Sequence, residues 1–84
     1  MDFSDALRAM KSGDRVARRS WIESGKFVYR VPPRETKLPD GKLVEHSAAY
    51  LFYRPAKGKT GLVEPYAPLA DALEAEDWYV LEDP

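Results

Sequence analysis

The sequence predicts a single α+β domain, with an N-terminal helix on a small, mostly antiparallel twisted β-sheet and a short helix before the last strand. Two observations predict this fold. Apolar residues with helical spacing open the chain, and short runs rich in aromatic and β-branched residues follow, separated by proline and glycine. The length of 84 residues leaves room for one such domain, over residues 1–84.

The first helix is predicted from an apolar stripe with the spacing of one helix face. The members of the stripe are Phe3, Ala6, Leu7 and Met10. Asp2 is a suitable N-cap, and Asp5 favours the positive end of the helix dipole. Gly13 is placed to end the helix after Lys11, because glycine readily adopts the left-handed conformation of a helix C-terminus.

The strands and the second helix are predicted from alternation and from turn residues. In chain order, the sequence predicts a strand over 27–31, a turn over 39–41, a strand over 48–53, a loop over 57–61, a brief strand at 62–63, an irregular segment over 65–68, a helix over 69–73 and a strand over 78–81. Pro55 is expected to end the strand before it. We assign Trp78, Phe27 and most of residues 50–53 to the core.

Charge is almost balanced overall but unevenly distributed along the chain. Thirteen basic and fourteen acidic residues give a net charge of −1, which argues against direct binding of a nucleic-acid backbone. Residues 1–63 contain all thirteen basic residues, whereas residues 64–84 contain seven acidic residues and no basic one. Two interpretations stay open: the acidic segment is a solvated tail, or it pairs with the basic part in three dimensions.

The sequence lacks the features of a secreted or membrane protein. Its opening, Met1-Asp2-Phe3-Ser4-Asp5, has neither the basic nor the apolar region of a signal peptide, and no stretch approaches the roughly 20 apolar residues of a membrane span. We therefore expect a cytoplasmic protein with no membrane partner. A core this small and without disulfides also favours stabilisation by subunit association, so we expect a homo-oligomer.

The residues needed for most catalytic chemistry are sparse. The chain has no cysteine and one histidine, His46, which excludes thiol catalysis and the commoner His/Cys zinc sites. Ser47 lacks the G-x-S-x-G motif of a nucleophile elbow, and the carboxylates of Glu74, Glu76 and Asp77 are interpreted as a solvated acidic face. We predict no catalytic residue, no metal site and no cofactor. An enzyme that acts on a nucleotide through Glu76, Asp77 and His46 is kept as an alternative.

Gly58-Lys59-Thr60 looks like the end of a phosphate-binding P-loop, but the motif is incomplete. Tyr53 stands where the first glycine is required, and Pro65 disfavours the long helix that should follow. A basic surface loop is the better interpretation, from which Lys57 or Lys59 is able to reach a ligand phosphate.

Aromatic and basic residues are interleaved in a way that suits a nucleotide ligand. Trp21 follows the Arg18-Arg19 pair, and Tyr66 lies in an irregular, proline-flanked segment. Aromatic faces stack on bases, and guanidinium groups bind phosphate oxygens in bidentate fashion. Core packing is the competing role for Trp21 and Tyr66, and the pattern leaves the choice open.

Three stretches of the chain match one known family in order and spacing. They are the opening Phe3-Ser4-Asp5-Ala6-Leu7 helix with Gly13, the run Val16-Ala17-Arg18-Arg19-Ser20-Trp21, and the segment from Gly61 that contains Pro65-Tyr66, Pro68, Leu73 and Ala75-Glu76-Asp77-Trp78. Together they span about two thirds of the chain, and nothing between Pro32 and Lys59 aligns. In these stretches the sequence resembles the second type of Thoeris anti-defence protein, a phage and prophage family.

The resemblance implies a sponge function. Members of the family form tetramers and sequester the cyclic ADP-ribose signal of the host's Thoeris immune system without degrading it, in pockets between subunits. By this resemblance, Trp21 and Tyr66 are stacking residues for the ligand, and Arg18, Arg19 and Lys26 are candidates for contacts with its pyrophosphate. The implied partners are a nucleotide of the cyclic ADP-ribose class and further copies of the chain, in the host bacterial cytoplasm.

The chain departs from the family pattern at two places near these residues. Tyr66 stands where the family usually has tryptophan, so a stacking face is kept while ring area and the indole N–H are lost. After Trp21, Ile22-Glu23-Ser24-Gly25-Lys26 replaces the commoner Asn-Gly-Lys-Gly run, which alters the rim of the implied pocket. Both departures bear on the affinity for the ligand and on the choice of cyclic nucleotide.

A protein-binding inhibitor is the main alternative, because the resemblance extends to a protein described as an anti-CRISPR. The acidic stretch from Glu64 to Asp83 would then imitate nucleic acid toward a basic effector channel. Charge reversal of Glu74 and Glu76 separates the two functions, since it should abolish such inhibition and leave nucleotide capture nearly intact.

Overall fold

The computed structural model describes residues 1–82 and confirms the predicted α+β class. The elements in chain order are α1 (Phe3–Lys11), β1 (Val16–Arg18), a 3₁₀ turn (Arg19–Trp21), β2 (Phe27–Val31), β3 (Arg34–Lys37), β4 (Leu43–His46), β5 (Ala49–Ala56), β6 (Lys59–Pro65), α2 (Ala70–Glu74) and β7 (Trp78–Val80). Within residues 1–82, no helix is long and apolar enough to cross a membrane.

The main sheet has five strands in the order β6-β5-β2-β1-β7, and each neighbouring pair is antiparallel. Strand β1 joins the two halves of the sheet, pairing with β2 on one side and with β7 on the other. It has no counterpart among the predicted strands, because three residues are too few to show alternation. The pairing sets Arg18 directly opposite Trp78, which brings residues near the two ends of the chain together.

Both ends of α1 form as the sequence predicts. The Asp2 side chain accepts a hydrogen bond from the Asp5 backbone amide, with 2.9 Å between Oδ1 and N. Beyond the last turn, Gly13 has a φ of +97° and donates its backbone N–H to the Met10 carbonyl. The helix therefore stops just before β1, and its apolar stripe lies on the sheet.

The core lies between α1, α2 and one face of the main sheet, which we call the covered face. Its buried members are Ala6, Met10, Val16, Val28, Ala72 and Trp78. Trp78 is the largest of them, and its indole Nε1 donates a hydrogen bond to the Ala72 carbonyl at 3.0 Å. This bond ties α2 to β7 and satisfies the polar atom of the buried indole. The assignment of Trp78 to the core is confirmed.

The opposite face of the main sheet, which we call the open face, carries Phe27, Tyr29, Tyr53 and Tyr79. Phe27 stacks on Tyr53 with 4.6 Å between ring centroids, and Tyr29 lies 5.9 Å from Phe27. The four rings are half-exposed and none of them packs against the buried cluster. Among the described residues, the open face is therefore an aromatic surface that stays half-exposed.

Alternation along the strands corrects part of the predicted core. The assignment of Phe27 is wrong, because Val28 occupies the covered face and its neighbour must point the other way. Within residues 50–53, Tyr50 and Phe52 pack against the buried cluster. Tyr53 belongs to the open face, so the core assignment is correct for only half of residues 50–53.

Strands β5 and β6 form a longer hairpin than the sequence predicts. β5 continues through Pro55, which sits at an irregularity in the register, the position where a sheet tolerates a proline. The turn consists of Lys57 and Gly58, and Gly58 supplies the positive φ of +69° that a tight hairpin turn needs. The predicted loop over 57–61 is therefore wrong, because the chain already pairs in β6 from Lys59 onward.

Strands β3 and β4 pair only with each other and form a hairpin that we call the arm, residues 34–46. The turn predicted over 39–41 lies at its tip, where Gly41 has a φ of +91°. No other helix or strand of residues 1–82 packs extensively against the arm. The radius of gyration is 14.7 Å, whereas a compact chain of this length has about 12 Å. The arm therefore projects from the domain.

The acidic C-terminal segment pairs in part with the basic remainder of the chain. Arg54 Nη2 lies 2.7 Å from Glu64 Oε1, and Arg18 contacts both Asp71 and Asp77. Of the two open interpretations, pairing in three dimensions holds for these three carboxylates. Asp83, the last acidic residue, lies outside the described residues.

Candidate ligand-binding site

A shallow pocket of about 190 Å³ opens beside the covered face, between the 3₁₀ turn and α2. Its lining residues are Arg18, Trp21, Tyr66, Ala67, Pro68, Leu69, Asp71 and Ala72. Three of the five residues predicted to bind ligand, Arg18, Trp21 and Tyr66, are therefore brought together from distant parts of the sequence. The β1–β7 pairing and the end of β6 make this possible, because they place the 3₁₀ turn and residues 66–72 side by side.

Trp21 is fixed by nearly perpendicular contacts with three other aromatic rings. Its ring centroid lies 5.5 Å from that of Trp78, 5.3 Å from Phe52 and 6.5 Å from Tyr66. Edge-to-face contacts of this kind match the positive edge of one ring to the negative face of the next. Trp21 is half-buried, so it packs against the core and also lines the pocket. The two competing roles of this residue are thus compatible.

Tyr66 is held by its backbone and by its ring. Its amide donates a hydrogen bond to the Tyr50 carbonyl at 2.9 Å, and its ring stacks on Phe52 with 5.6 Å between centroids and 18° between planes. Burial raises the pKa of the Tyr66 hydroxyl above its ordinary value of 10.0, and nearby Arg18 opposes this shift. The hydroxyl therefore keeps its proton at neutral pH and is able to donate a hydrogen bond.

Arg18 is anchored in the pocket wall by two carboxylates. Its Nε donates a hydrogen bond to Asp77 Oδ1 at 2.9 Å, and its Nη1 lies 3.6 Å from Asp71 Oδ2. The hydrogen bond raises the pKa of Arg18 and lowers the pKa of Asp77. The Asp71 side chain is 76% exposed, so its carboxylate remains accessible to other hydrogen-bond donors.

The charges of Arg18, Asp71 and Asp77 determine which chemical groups of a ligand the pocket is able to bind. One guanidinium and two carboxylates sum to a net negative charge, so the pocket is not a general anion site. The Arg18 guanidinium has N–H groups beyond the one given to Asp77, and these are able to bind a single phosphate or carbonyl oxygen. Asp71 suits the hydroxyl or amino groups of a nucleoside. The arrangement therefore favours a nucleoside-like group over a bare polyphosphate.

Arg19 and Lys26, the other two predicted ligand residues, do not line this pocket. Arg19 is exposed, and its guanidinium lies 5.4 Å from the ring centroid of Tyr79, which belongs to the open face. Lys26 is half-buried immediately before β2. A contact from either residue to a ligand in the pocket requires a larger ligand or a second subunit, and their role remains a prediction.

An exposed apolar side chain lines the pocket just before α2, and a second one follows on α2 itself. Leu69 is 74% exposed and lines the pocket, and Leu73, one helical turn later, is 50% exposed. Leu69, Pro68 and Asp71 are not among the residues predicted from the sequence. No local pattern marks Asp71, because its partner Arg18 is far away in the chain. The irregular segment over 65–68 is the one sequence signal that pointed to this region.

Comparison with known proteins shows the family of the chain. A family model described as Tad2-like, the Thoeris anti-defense 2-like domain, matches residues 1–81. The chain belongs to the Tad2-like family. The match includes the arm, which lies in the part of the chain where no motif aligned, and it supports a role in countering Thoeris defence. No curated protein matches the chain closely enough to add a second comparison.

The residues of the enzyme alternative lie on different parts of this Tad2-like domain. His46 ends β4 in the arm, whereas Glu76 and Asp77 precede β7 at one edge of the main sheet. Asp77 is engaged by Arg18, and its lowered pKa makes it a weak base. Among residues 1–82, no group of histidine, aspartate and glutamate side chains is arranged to hold a metal ion.

Proposed function

We propose that this Tad2-like protein binds a cyclic ADP-ribose-type immune signal and sequesters it, without degrading it, in pockets between subunits. The proposal rests chiefly on the pocket that unites Trp21 and Tyr66 with the ion-paired Arg18. Sequestration requires tight binding and slow release, and it needs no general acid or base. In this proposal the protein acts as a homotetramer in the cytoplasm of the bacterial host, where the signal is made, and it needs no cofactor.

The chemistry of the pocket suggests how such a ligand lies in it. Trp21 and Tyr66 offer aromatic surface on which a base stacks, an interaction worth about 1–3 kcal/mol per base. Asp71 accepts hydrogen bonds from ribose hydroxyls, and the free N–H groups of Arg18 bind one oxygen of the pyrophosphate. A cyclic molecule is already folded, so it loses little conformational freedom when it enters.

The size and rim of the pocket support a site shared between subunits. Pockets for small molecules usually enclose about 300–1,000 Å³, which is more than the 190 Å³ that one chain provides. Leu69 and Leu73 stand exposed at or near the rim, where a second subunit would cover them. A neighbouring chain would enlarge the pocket and exclude water from the bound ligand. Arg19 or Lys26 of that neighbour would be available for the remaining phosphate contacts.

Replacing Trp21 with alanine tests the proposed site. We expect the affinity for cyclic ADP-ribose, measured by isothermal titration calorimetry, to fall about 5- to 150-fold, because one stacking partner is lost. The matched variant Trp21→Phe keeps an aromatic face and should retain most of the affinity. Since Trp21 also contacts the core, circular dichroism must show that both variants are folded. Wild-type affinity in folded Trp21→Ala, or no binding by the wild type, would contradict the proposal.

A protein-binding inhibitor is the second candidate, favoured by one observation. Asp2, Glu74 and Glu76 line an acidic depression of about 300 Å³ beside the start of α1. The double variant Glu74→Lys with Glu76→Lys reverses the charge of this depression and leaves the Trp21 pocket untouched. If sequestration is the function, the double variant captures cyclic ADP-ribose as the wild type does. If it loses protection of phage against host defence while capture persists, the inhibitor is the correct function.

A further inference from the structure

A second depression, of about 330 Å³, lies next to the Trp21 pocket, and we call it the Arg54 depression. Its lining residues are Phe52, Arg54, Glu64, Pro65, Tyr66 and Ala67. Tyr66 and Ala67 also line the Trp21 pocket, so the two depressions adjoin each other. A ligand that stacks on Tyr66 is therefore able to extend into the Arg54 depression.

Strands β5 and β6 position the side chains of this depression. Arg54 follows Phe52 by two positions in β5, so both side chains lie on the same face of the sheet. Glu64 in β6 is the direct cross-strand partner of Phe52. The Arg54 guanidinium lies 5.4 Å from the ring centroid of Phe52, whose ring stacks on Tyr66. The aromatic surface of the Trp21 pocket therefore continues, through Tyr66 and Phe52, to a guanidinium group.

The charge around Arg54 differs from the charge around Arg18. Arg54 Nη2 lies 2.7 Å from Glu64 Oε1, and no other carboxylate of residues 1–82 forms an ion pair with Arg54. This pair is electrically neutral. Arg18 contacts both Asp71 and Asp77, so its group carries a net negative charge. An anionic part of a ligand therefore meets less repulsion at Arg54 than at Arg18.

The Arg54 guanidinium has the donors and the exposure that a phosphate group requires. A guanidinium carries five N–H donors in a planar fork that matches the oxygens of a phosphate. The ion pair with Glu64 engages one nitrogen, and the side chain is 56% exposed, so other N–H groups remain accessible. Contact with Glu64 and with the Phe52 ring restricts the guanidinium before a ligand arrives, which lowers the entropy cost of binding.

We propose that the Arg54 depression is a phosphate subsite of the ligand-binding site. Arg54 binds pyrophosphate oxygens of a nucleotide whose base stacks in the Trp21 pocket, and Glu64 positions Arg54 without contacting the ligand. The inference rests on the proposed function, and it assigns to the same chain a phosphate contact that Arg18 cannot supply alone. The class of ligand that uses both depressions is a nucleotide with linked phosphates, rather than a nucleoside or a free base.

Removing the charge of Arg54 tests the subsite. We expect Arg54→Gln to lower the affinity for cyclic ADP-ribose, measured by isothermal titration calorimetry, about 10- to 100-fold, because a charged hydrogen bond is lost. Arg54→Lys keeps the charge without the planar fork and should lose less affinity. Arg8→Gln is the matched control, since it also removes an exposed, ion-paired arginine but lines neither depression. It should bind the ligand as the wild type does.

The dependence of binding on salt distinguishes a phosphate contact from a structural role of Arg54. Added sodium chloride should weaken binding by the wild type and by Arg8→Gln, because salt screens the attraction between opposite charges. Arg54→Gln should depend less on salt, since one such attraction is missing. The same affinity and salt dependence in Arg54→Gln as in the wild type would overturn the subsite. An equal loss of affinity in Arg8→Gln would overturn it as well.

Inorganic pyrophosphate tests the subsite without the nucleotide. When it is added to isotope-labelled protein, the backbone amide signals of residues 52–54 and 64–67 should shift in the NMR spectrum of the wild type and stay in place in Arg54→Gln. Shifts of equal size in the variant, or none in the wild type, would contradict the subsite. Capture of cyclic ADP-ribose with unchanged affinity in Arg54→Gln rejects the subsite alone. Pyrophosphate shifts that depend on Arg54, without binding of cyclic ADP-ribose, reject the proposed function alone.

Discussion

Both faces of the main sheet carry aromatic side chains, but these are buried on the covered face and half-exposed on the open face. On the covered face, Trp78 is 1% exposed beneath α1, and Phe52 and Tyr66 pack against the buried cluster. On the open face, Phe27 and Tyr53 form a stacked pair that stays half-exposed. The difference comes from what lies over each face, since α1 is the long helix of the chain and it covers one side only. Aromatic content alone therefore does not identify the core of a domain this small.

Truncating one ring on each face should give the largest contrast. We expect Trp78→Ala to lower the free energy of unfolding by about 3–5 kcal/mol, because it removes the largest buried side chain and its hydrogen bond to α2. Tyr29→Ala on the open face should cost less than half of that, since the ring is half-exposed. Urea unfolding followed by circular dichroism measures both. Equal losses would show that the open face belongs to a core.

The pocket side of the covered face should respond to acid through Asp77. Asp77→Asn is expected to lower the free energy of unfolding by about 1–2 kcal/mol at neutral pH, because it weakens a charged hydrogen bond to the half-buried Arg18. Because the pKa of Asp77 is lowered in the folded protein, this stabilisation is complete above the ordinary value of 3.8 and is lost as the pH falls through the folded pKa. The variant should therefore lose less stability than the wild type on acidification.

Asp71→Asn is the matched control for that experiment. Asp71 lies 3.6 Å from Arg18 and is mostly exposed, so its replacement should change stability much less than Asp77→Asn. Urea midpoints at a series of pH values from neutral to acid measure all three proteins. If the urea midpoints of the wild type and Asp77→Asn change with pH in parallel, the Arg18–Asp77 ion pair does not stabilise the pocket wall.

A small substitution tests whether the open face is an organised surface. A methyl group added at Gly61 in β6 would collide with the ring of Tyr53, so Gly61→Ala must displace that ring from its stack on Phe27. We expect a loss of about 1 kcal/mol, comparable to the worth of an aromatic pair. In a Tyr53→Ala background the same change should have almost no effect. A double-mutant cycle by urea unfolding measures this coupling, and additive effects would mean that the stack does not constrain the ring.

The sequence predicts those parts of the fold that depend on local patterns. The apolar stripe and the Asp2 cap were sufficient for α1, and the turn residues over 39–41 located the tip of the arm. Strand β1 was not predicted, because its three residues are too few to show alternation. Pro55 was expected to end its strand, but an irregularity in the register of β5 accommodates it. The burial of Phe27 was wrong for a different reason. Alternation separates two faces, but it does not say which one a helix will cover.

The candidate site was predictable to the extent that it depends on residue type. The interleaved aromatic and basic residues suggested Trp21, Tyr66 and Arg18, the family resemblance selected them, and all three line one pocket. The pairing of Arg18 with Asp71 and Asp77 was not predictable, because these partners meet only after β1 and β7 pair. That pairing changes the expected chemistry, since it turns an anticipated phosphate site into a mixed one with a net negative charge. The position of Arg19 was not predictable from residue type either. It follows Arg18 directly in the chain, but its guanidinium lies over Tyr79 on the open face.

Release of captured ligand tests the central claim most directly. Purified protein is mixed with cyclic ADP-ribose in slight molar deficit, free ligand is removed by filtration, and the retained protein is denatured by heat. If the protein is a sponge, the filtrate is depleted of ligand, and chemically unaltered cyclic ADP-ribose is recovered after heating in the amount that was captured. Recovery of a cleaved or otherwise altered product, or a filtrate that still contains all of the ligand, would contradict the claim.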